Sequence, residues 1–324
     1  VNSNILIIKL GALGDLVLAT PIIQRIQAAH PAADIWLLTT PPFTGLFTDW
    51  PGLKVEAIPR KSLLRMIVWV RRQGFQRIYD LQSNDRTGLV CALSGVAERI
   101  GEKPRFPYTH HPPHNLRGRA HAFERHNAVL ASAGIAAAEP RPWLPVTAAM
   151  RHRLASWLAE HGLADRRLVL CHAGASARWA SKRWPYFEDL ASRLAECGYQ
   201  VVWLGASEDA AINAQLAERI GLDATGTFAI PELMELGRHA AFAVTNDSAP
   251  MHVLAGSGIP VYGLFGPTNW RLSHAVGQGQ RALHADAACP ACITGYKNQA
   301  DGHTCLSSLS VDTVMQRLRA DGLV

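Results

Sequence analysis

The sequence predicts an α/β protein of two doubly wound domains. Three observations carry this. Apolar, strand-like runs alternate with helical segments through both halves of the chain, the pattern of a mainly parallel sheet covered by helices. The stretch "AAAEPRPWLPVTAA" (136–149) breaks the alternation with three prolines, and proline stiffens a connector while blocking helix entry. The length, 324 residues, suits two domains of roughly 100–200 residues each. The predicted division is 1–146 and 147–324.

In the first half, "NILIIKL" (4–10) reads as a strand buried on both faces, because its apolar run is nearly continuous. "GDLVLATPIIQRIQAAHP" (14–31) reads as a helix ended by Pro31. Strands are expected at 33–40, 54–59, 77–82 and 98–102, and helices at 62–74, 85–95 and 119–134. Between them fall a turn-rich piece, 41–52, and a polar His- and Pro-rich loop, 103–118. In the second half, a helix at 150–162 leads to strands at 167–174, 200–206, 242–247 and 259–266. Helices are expected at 185–198, 207–221, 230–240 and 248–258. A closing helix, 310–322, is a candidate to pack back on the first domain.

Hydrophobic residues make up 48% of the chain and charged residues 18%, a balance that supports large cores. No apolar run reaches the ~18 residues of a membrane span, and no basic-then-apolar leader opens the chain. Both point to the cytoplasm. The net charge of +6 favours acidic partners. The densest basic stretches, 59–77 and 117–126, lack the aromatic spacing or Cys/His spacing of nucleic-acid readers. An anionic ligand is therefore expected, and nucleic acid is not. The plainer reading, a solvated basic face, stays open.

Motifs cluster at the carboxyl ends of the expected strands, where open α/β sheets bind ligands. "CHAGASARWASKRWP" (171–185) combines the small residues Gly174, Ala175 and Ser176 with the cations Arg178, Lys182 and Arg183, just before a helix. Small residues admit close backbone approach, and cations beside a helix N-terminus make an anion site. The plainer reading is a surface loop with solubilising charge. "VTNDSAPMHVLAGSG" (244–258) places Asp247 and Ser248 as helix caps, with the amides of Ser248, Ala249 and Met251 and the side chain of His252 at the same end. An ordinary cap and a core-facing His would produce the same pattern. Glu208, in "WLGASEDA" (203–210), follows a strand and can accept bonds from ribose hydroxyls. It can equally just favour a helix N-terminus. Together the three fit a nucleoside diphosphate. The chain has no Asp-x-Asp, so cations rather than a bridging metal would balance the pyrophosphate.

Five stretches, "KLGALGDLVLATP", "YDLQSNDRTGLVCALSG", "HAFERHNAVLASAGI", "HAGASARWASKRWP" and "TNDSAPMHVLAGSGIPVYGLFGPT", resemble in order and spacing the glycosyltransferases of the bacterial lipopolysaccharide heptosyltransferase type (family 9). The resemblance implies a GT-B fold, two Rossmann-like domains facing a central cleft. It also implies inverting, metal-independent transfer from a nucleotide sugar, typically ADP-L-glycero-D-manno-heptose, with no further cofactor. By that resemblance Asp15 is the candidate catalytic base. Lys182 and Ser176 are pyrophosphate ligands, Glu208 is a ribose ligand, and Asp247, Ser248, Ala249 and His252 line the donor site. Ala249 stands where the family often has Gly, so a local difference is expected there. The family's anionic acceptors point to Arg60, Lys61 and Arg65 after the third strand, with surface charge as the alternative. A lipid-linked acceptor implies work at the inner membrane face, held by charge.

In such a displacement one carboxylate takes the acceptor hydroxyl's proton, which is worth about 10²–10⁴-fold. Lys182, Arg178 and helix amides would stabilise the leaving diphosphate. Gly11 and Gly14 leave room for the acceptor beside Asp15. The alternative is that Asp15 caps its helix. Near the C-terminus, Cys289-x2-Cys292 and His303-x-Cys305 offer a set that zinc would accept; free thiols or a disulfide are the alternatives. Two other functions remain. One is a family-9 transferase using another nucleotide sugar and a small-molecule or polysaccharide acceptor. The other is a non-catalytic nucleotide-binding module.

Overall fold

A computed structural model describes residues 3–285 and 305–324, without the side chains of 177 and 178. The chain divides into two compact units, Val1–Pro145 and Val146–Val324.

The first unit runs β1 (Asn4–Ile8), α1 (Leu13–Ala29), β2 (Asp34–Thr39), β3 (Leu53–Ala57), α2 (Leu63–Arg72), β4 (Arg77–Asp80), α3 (Asp85–Leu93), β5 (Glu98–Gly101) and α4 (Ala122–Ser132). Its five strands are parallel in the order β3-β2-β1-β4-β5. The chain builds outward from β1 to β3, then returns to add β4 and β5 on the other side. That reversal puts a topological switch point between the ends of β1 and β4. Helices α1 and α4 lie together, as do α2 and α3, as right-handed crossovers on two faces of a parallel sheet would place them. Met66, Val70, Val90 and Cys91 of α2 and α3 bury against Leu6, Ile8 and Ile78 of the sheet.

The second unit begins with α5 (Ala148–Glu160) and β6 (Leu168–His172). It continues through α6 (Phe187–Glu196), β7 (Gln200–Trp203), α7 (Ala210–Ala217), β8 (Leu222–Asp223), α8 (Ile230–Gly237), β9 (Ala240–Asn246), α9 (Ala249–Ala255), β10 (Val261–Phe265), α10 (Trp270–Ser273) and β11 (Ala282–His284). It closes with α11 (Val311–Ala320). Its strands are again parallel, in the order β11-β10-β9-β6-β7-β8, and the switch point lies between β6 and β9. Residues Val169, Cys171, Trp203, Phe242 and Val244 form the core with α6. The closing helix α11 buries Val314, Met315 and Leu318 in this same core.

Several boundaries differ from expectation for local reasons. The turn-rich piece contains a 3₁₀ turn, Pro41–Leu46. Helix α4 starts at Ala122 because His121 caps it: its Nδ1 accepts from the Phe123 amide at 3.2 Å while its own amide donates to Glu124 at 3.1 Å. The helix expected from 207 opens as a 3₁₀ turn, Ser207–Asp209, because Asp209 folds back to accept from the Ala206 amide at 3.2 Å. Elements β8, α10 and β11 are too short for periodicity to reveal.

Candidate active site

In the first unit, Lys9 to Ala12 lead from β1 into α1. Gly11 has φ +119°, and a Cβ there would stand 2.6 Å from a ring carbon of Phe43, so only glycine fits this turn. Three bonds hold it. The Leu10 amide donates to Gln82 Oε1 at 3.0 Å, and the Leu10 carbonyl accepts from the Thr40 hydroxyl and the Arg60 guanidinium, both at 3.1 Å. Gln82 lies just past β4, so the turn is tied across the switch point.

Gly14 is buried and Asp15 half-buried in the first turn of α1. The N-cap residue is Ala12, which has no side-chain cap bond. Among the described residues, the Asp15 carboxylate makes no hydrogen bond or ion pair and does not cap its helix. Its charge is favoured by the positive end of the helix dipole. Lys9 lies buried beneath. Its Nζ donates to the Leu81 carbonyl at 3.1 Å and stands 3.5 Å from His126 Nε2. Burial pulls the Lys9 ammonium below its ordinary pKa, while the negative charge of Asp15 pulls the other way. The neighbouring carboxyl of Asp80 is also buried, which raises its pKa; amides of Ser83 and Gln82 and the Tyr108 hydroxyl, at 2.7 Å, partly oppose this. The structure ties Arg60 directly to the turn. Lys61 and Arg65 are exposed, and Arg65 lies 4.0 Å from Glu56.

In the second unit, the loop after β6 meets the loop after β9. Lys182 Nζ pairs with Asp247 Oδ2 at 2.7 Å, and their side chains are only 13% and 8% exposed. Thr268 donates to the same oxygen at 2.6 Å. Asn246, which the sequence reading passed over, clamps the two loops. Its Nδ2 donates to the carbonyls of Ala173 (2.8 Å) and Gly174 (3.1 Å), and its Oδ1 accepts from the Trp184 amide at 3.1 Å. The expected Ser248 cap is corrected: Ser248 occupies the N-cap position of α9, but its hydroxyl lies 3.0 Å from His172 Nδ1 instead of bonding a helix amide. The opposite nitrogen of His172 lies 3.4 Å from Asp209 Oδ2. Burial works against the charge of Asp209, but the bond and charge of His172 outweigh it and hold the carboxyl below its usual range. His172 thus bridges Asp209 and Ser248, and the Ser248 hydroxyl also donates to the Asn246 carbonyl at 3.2 Å.

Glycine is required again at Gly174, where a Cβ would stand 2.0 Å from Asp209 Oδ1. Glu208, beside Asp209, is exposed; Ser176 is exposed, Ala249 half-buried and His252 buried. The side chain of Arg178 and residues Cys289, Cys292 and His303 lie outside the described residues. Cys305 is buried. Among the described residues, no group of three or more His, Cys, Asp or Glu is placed to hold a metal ion, and no helix is long and apolar enough to cross a membrane. A histidine closing a buried strand, His172, was the available signal for the Ser248–His172–Asp209 array.

The family model for glycosyltransferase family 9 (heptosyltransferase) matches residues 64–300. Lipopolysaccharide heptosyltransferase 2 of Escherichia coli is 23% identical over 351 residues, covering 98% of each chain. A family 9 glycosyl transferase from Veillonella parvula shares the fold at TM-score 0.80 and 21% identity, over 98% of this chain and 96% of that one. The structure of E. coli ADP-heptose LPS heptosyltransferase II superposes at TM-score 0.72 and 21% identity, covering 98% of each. Two parallel Rossmann-like sheets, each with its polar residues at the switch point, agree with these folds. The chain belongs to glycosyltransferase family 9 (heptosyltransferase) and is a glycosyltransferase.

Proposed function

We propose that this enzyme transfers heptose from ADP-L-glycero-D-manno-heptose to a lipopolysaccharide core or related glycan acceptor, with inversion at the anomeric carbon and without a metal ion. Support for the sugar and acceptor comes from the names of the relatives that match nearly the whole chain. The observation that carries the mechanism is the half-buried Asp15 carboxylate, which among the described residues has no hydrogen bond or ion pair, at the first unit's switch point.

In this reading the second unit holds the donor and the first supplies the base. Asp15 accepts the proton of the acceptor hydroxyl as its oxygen attacks the anomeric carbon, and the bond to the diphosphate breaks on the opposite face. Charge on the departing diphosphate is met by Lys182 and Arg178, with Ser176, Ser248 and Ala249 beside it. Glu208 receives the ribose hydroxyls, while Asp247 and His252 complete the donor site. Asp247 holds Lys182 in place until a phosphate competes for it. Arg60, with Lys61 and Arg65 beyond, receives the acceptor's anionic groups beside Gly14. The enzyme works in the cytoplasm at the inner membrane face. The test is a mass-spectrometric screen of nucleotide sugars against truncated core acceptors. A heptose mass increment obtained with ADP-heptose, in the presence of a chelator, is expected. Transfer of a different sugar in preference to heptose would overturn the assignment.

A further inference from the structure

All the large hydrophobic side chains that stand exposed among the described residues, Leu64, Val68, Leu89, Leu93 and Phe106, lie on α2, α3 or the loop after β5. The second unit contributes none of them. Leu64 and Phe106 are 73% and 76% exposed, beyond what a side chain packed at one edge would show.

These residues form one face. Leu64, Val68, Arg71 and Arg72 recur at the helical spacing of i, i+4, i+7 and i+8, so they share a stripe of α2. Its opposite side buries Met66 and Val70 in the core. Leu89 and Leu93 share a stripe of α3 in the same way. Arg71 donates to the Leu93 carbonyl at 3.3 Å, which ties the ends of the two stripes together. Leu89 and Phe106 line one open cavity of about 430 Å³ with Lys103 and Arg105. The charge on this face is one-sided. Helix α2 carries Arg65, Arg71 and Arg72 and no carboxylate. Two carboxylates adjoin the face, Glu56 near Arg65 and Asp85 on Lys103 at 2.5 Å; among the described residues Arg71, Arg72 and Arg105 have no ion pair.

We propose that this face of the first unit docks on a bilayer surface rich in anionic phospholipid, with Leu64, Val68, Leu89 and Phe106 entering the headgroup boundary and the arginines meeting lipid phosphates. Aliphatic side chains ringed by cations are what an interfacial amphipathic surface presents. A second copy fits poorly, because a two-fold contact through this face would set its arginines against one another. Single-stranded nucleic acid would call for stacked aromatics, and Phe106 is the lone exposed one on the face. The docking face rests on the proposed location at the inner membrane face, which it deepens; Arg65 is shared with the proposed acceptor site, whereas the residues varied below are not, so vesicle binding and heptose transfer fail separately.

The test is co-sedimentation of the full chain with sucrose-loaded vesicles, either of phosphatidylcholine alone or of phosphatidylcholine mixed with phosphatidylglycerol. Binding to the mixed vesicles that weakens with added salt is expected. Each juxtamembrane arginine contributes about a fivefold change in partition, so the double variant Arg71→Gln/Arg72→Gln should bind at least tenfold more weakly. Leu64→Ser/Phe106→Ser should lose binding to a similar extent, with thermal melting showing that the variant is folded. If that pair fails to fold, Leu89→Ser supplies the same readout. Failure of the native chain to bind mixed vesicles, or undiminished binding by both double variants, would overturn the proposal. So would a native dimer that Leu64→Ser/Phe106→Ser converts to monomer.

Discussion

Replacing Lys182 by Met separates a structural ion pair from a ligand. The Lys182–Asp247 pair is 2.7 Å long and mostly withdrawn from water. At an effective dielectric of about 20 the attraction is ~6 kcal/mol, and desolvation of both groups takes back a large part of it. Removing one partner of such a pair costs about 3–5 kcal/mol, because the other charge is left buried. Asp247 would keep only the Thr268 hydroxyl at 2.6 Å among its described side-chain partners, so a loss near the lower end, ~3 kcal/mol, is expected by urea unfolding. Combining Lys182→Met with Asp247→Asn removes the orphaned charge and should restore most of that stability. ADP binding should not recover. A charge-assisted bond to a phosphate oxygen contributes about 1.5–3 kcal/mol, so calorimetry should find ADP bound roughly 10- to 100-fold more weakly by the double variant. Removing an acidic neighbour would by itself strengthen anion binding, which makes the loss attributable to Lys182. A double variant that regains stability and binds ADP like the native chain would refute the ligand role.

Asn246→Ala removes three bonds between the loops after β6 and β9 and strands their buried partners, so a loss of about 3–5 kcal/mol in unfolding free energy is expected, with weaker ADP binding. His126 gives a pH dependence. Burial first, and then the charges of Lys9 and Arg125, hold its folded-state pKa well below 6.5. The unfolded chain therefore takes up a proton that the folded chain refuses. Stability should fall as pH drops below about 6.5, by up to ~1.4 kcal/mol per pH unit, until the folded-state pKa is reached. Urea titrations across this range should show a shallower slope for His126→Gln; an unchanged slope would mean that His126 titrates alike in both states.

The alternation of elements was legible because the buried strands are short apolar runs and helices such as α2, α6 and α11 are amphipathic, and these are local properties. Strand order was not legible. It emerges from crossovers that join residues far apart, such as the pairing of β6 with β9. The small residues and cations of the loop after β6 could be read as an anion site because composition alone marks them. Asn246 could not, since its role depends on three groups more than sixty positions away in sequence. Ser248 misled for the opposite reason. A serine before Ala-Pro is a local cap signal, but a tertiary partner, His172, took its hydroxyl. Glu208 stood out as a carboxylate after β7; that its neighbour Asp209 is buried against His172 is set by the fold. The role of Lys9 was not legible, because its contacts, the Leu81 carbonyl and His126, lie 72 and 117 positions away.

The proposed mechanism requires Asp15 to act as a base rather than as a ligand for the donor. The most direct measurement pairs steady-state turnover with ADP affinity for Asp15→Asn, which keeps the size of the side chain and removes its basicity. The expected result is a kcat lowered by about 10²–10⁴-fold with ADP affinity within about twofold of native. Near-native turnover, or loss of ADP binding in step with loss of rate, would contradict it.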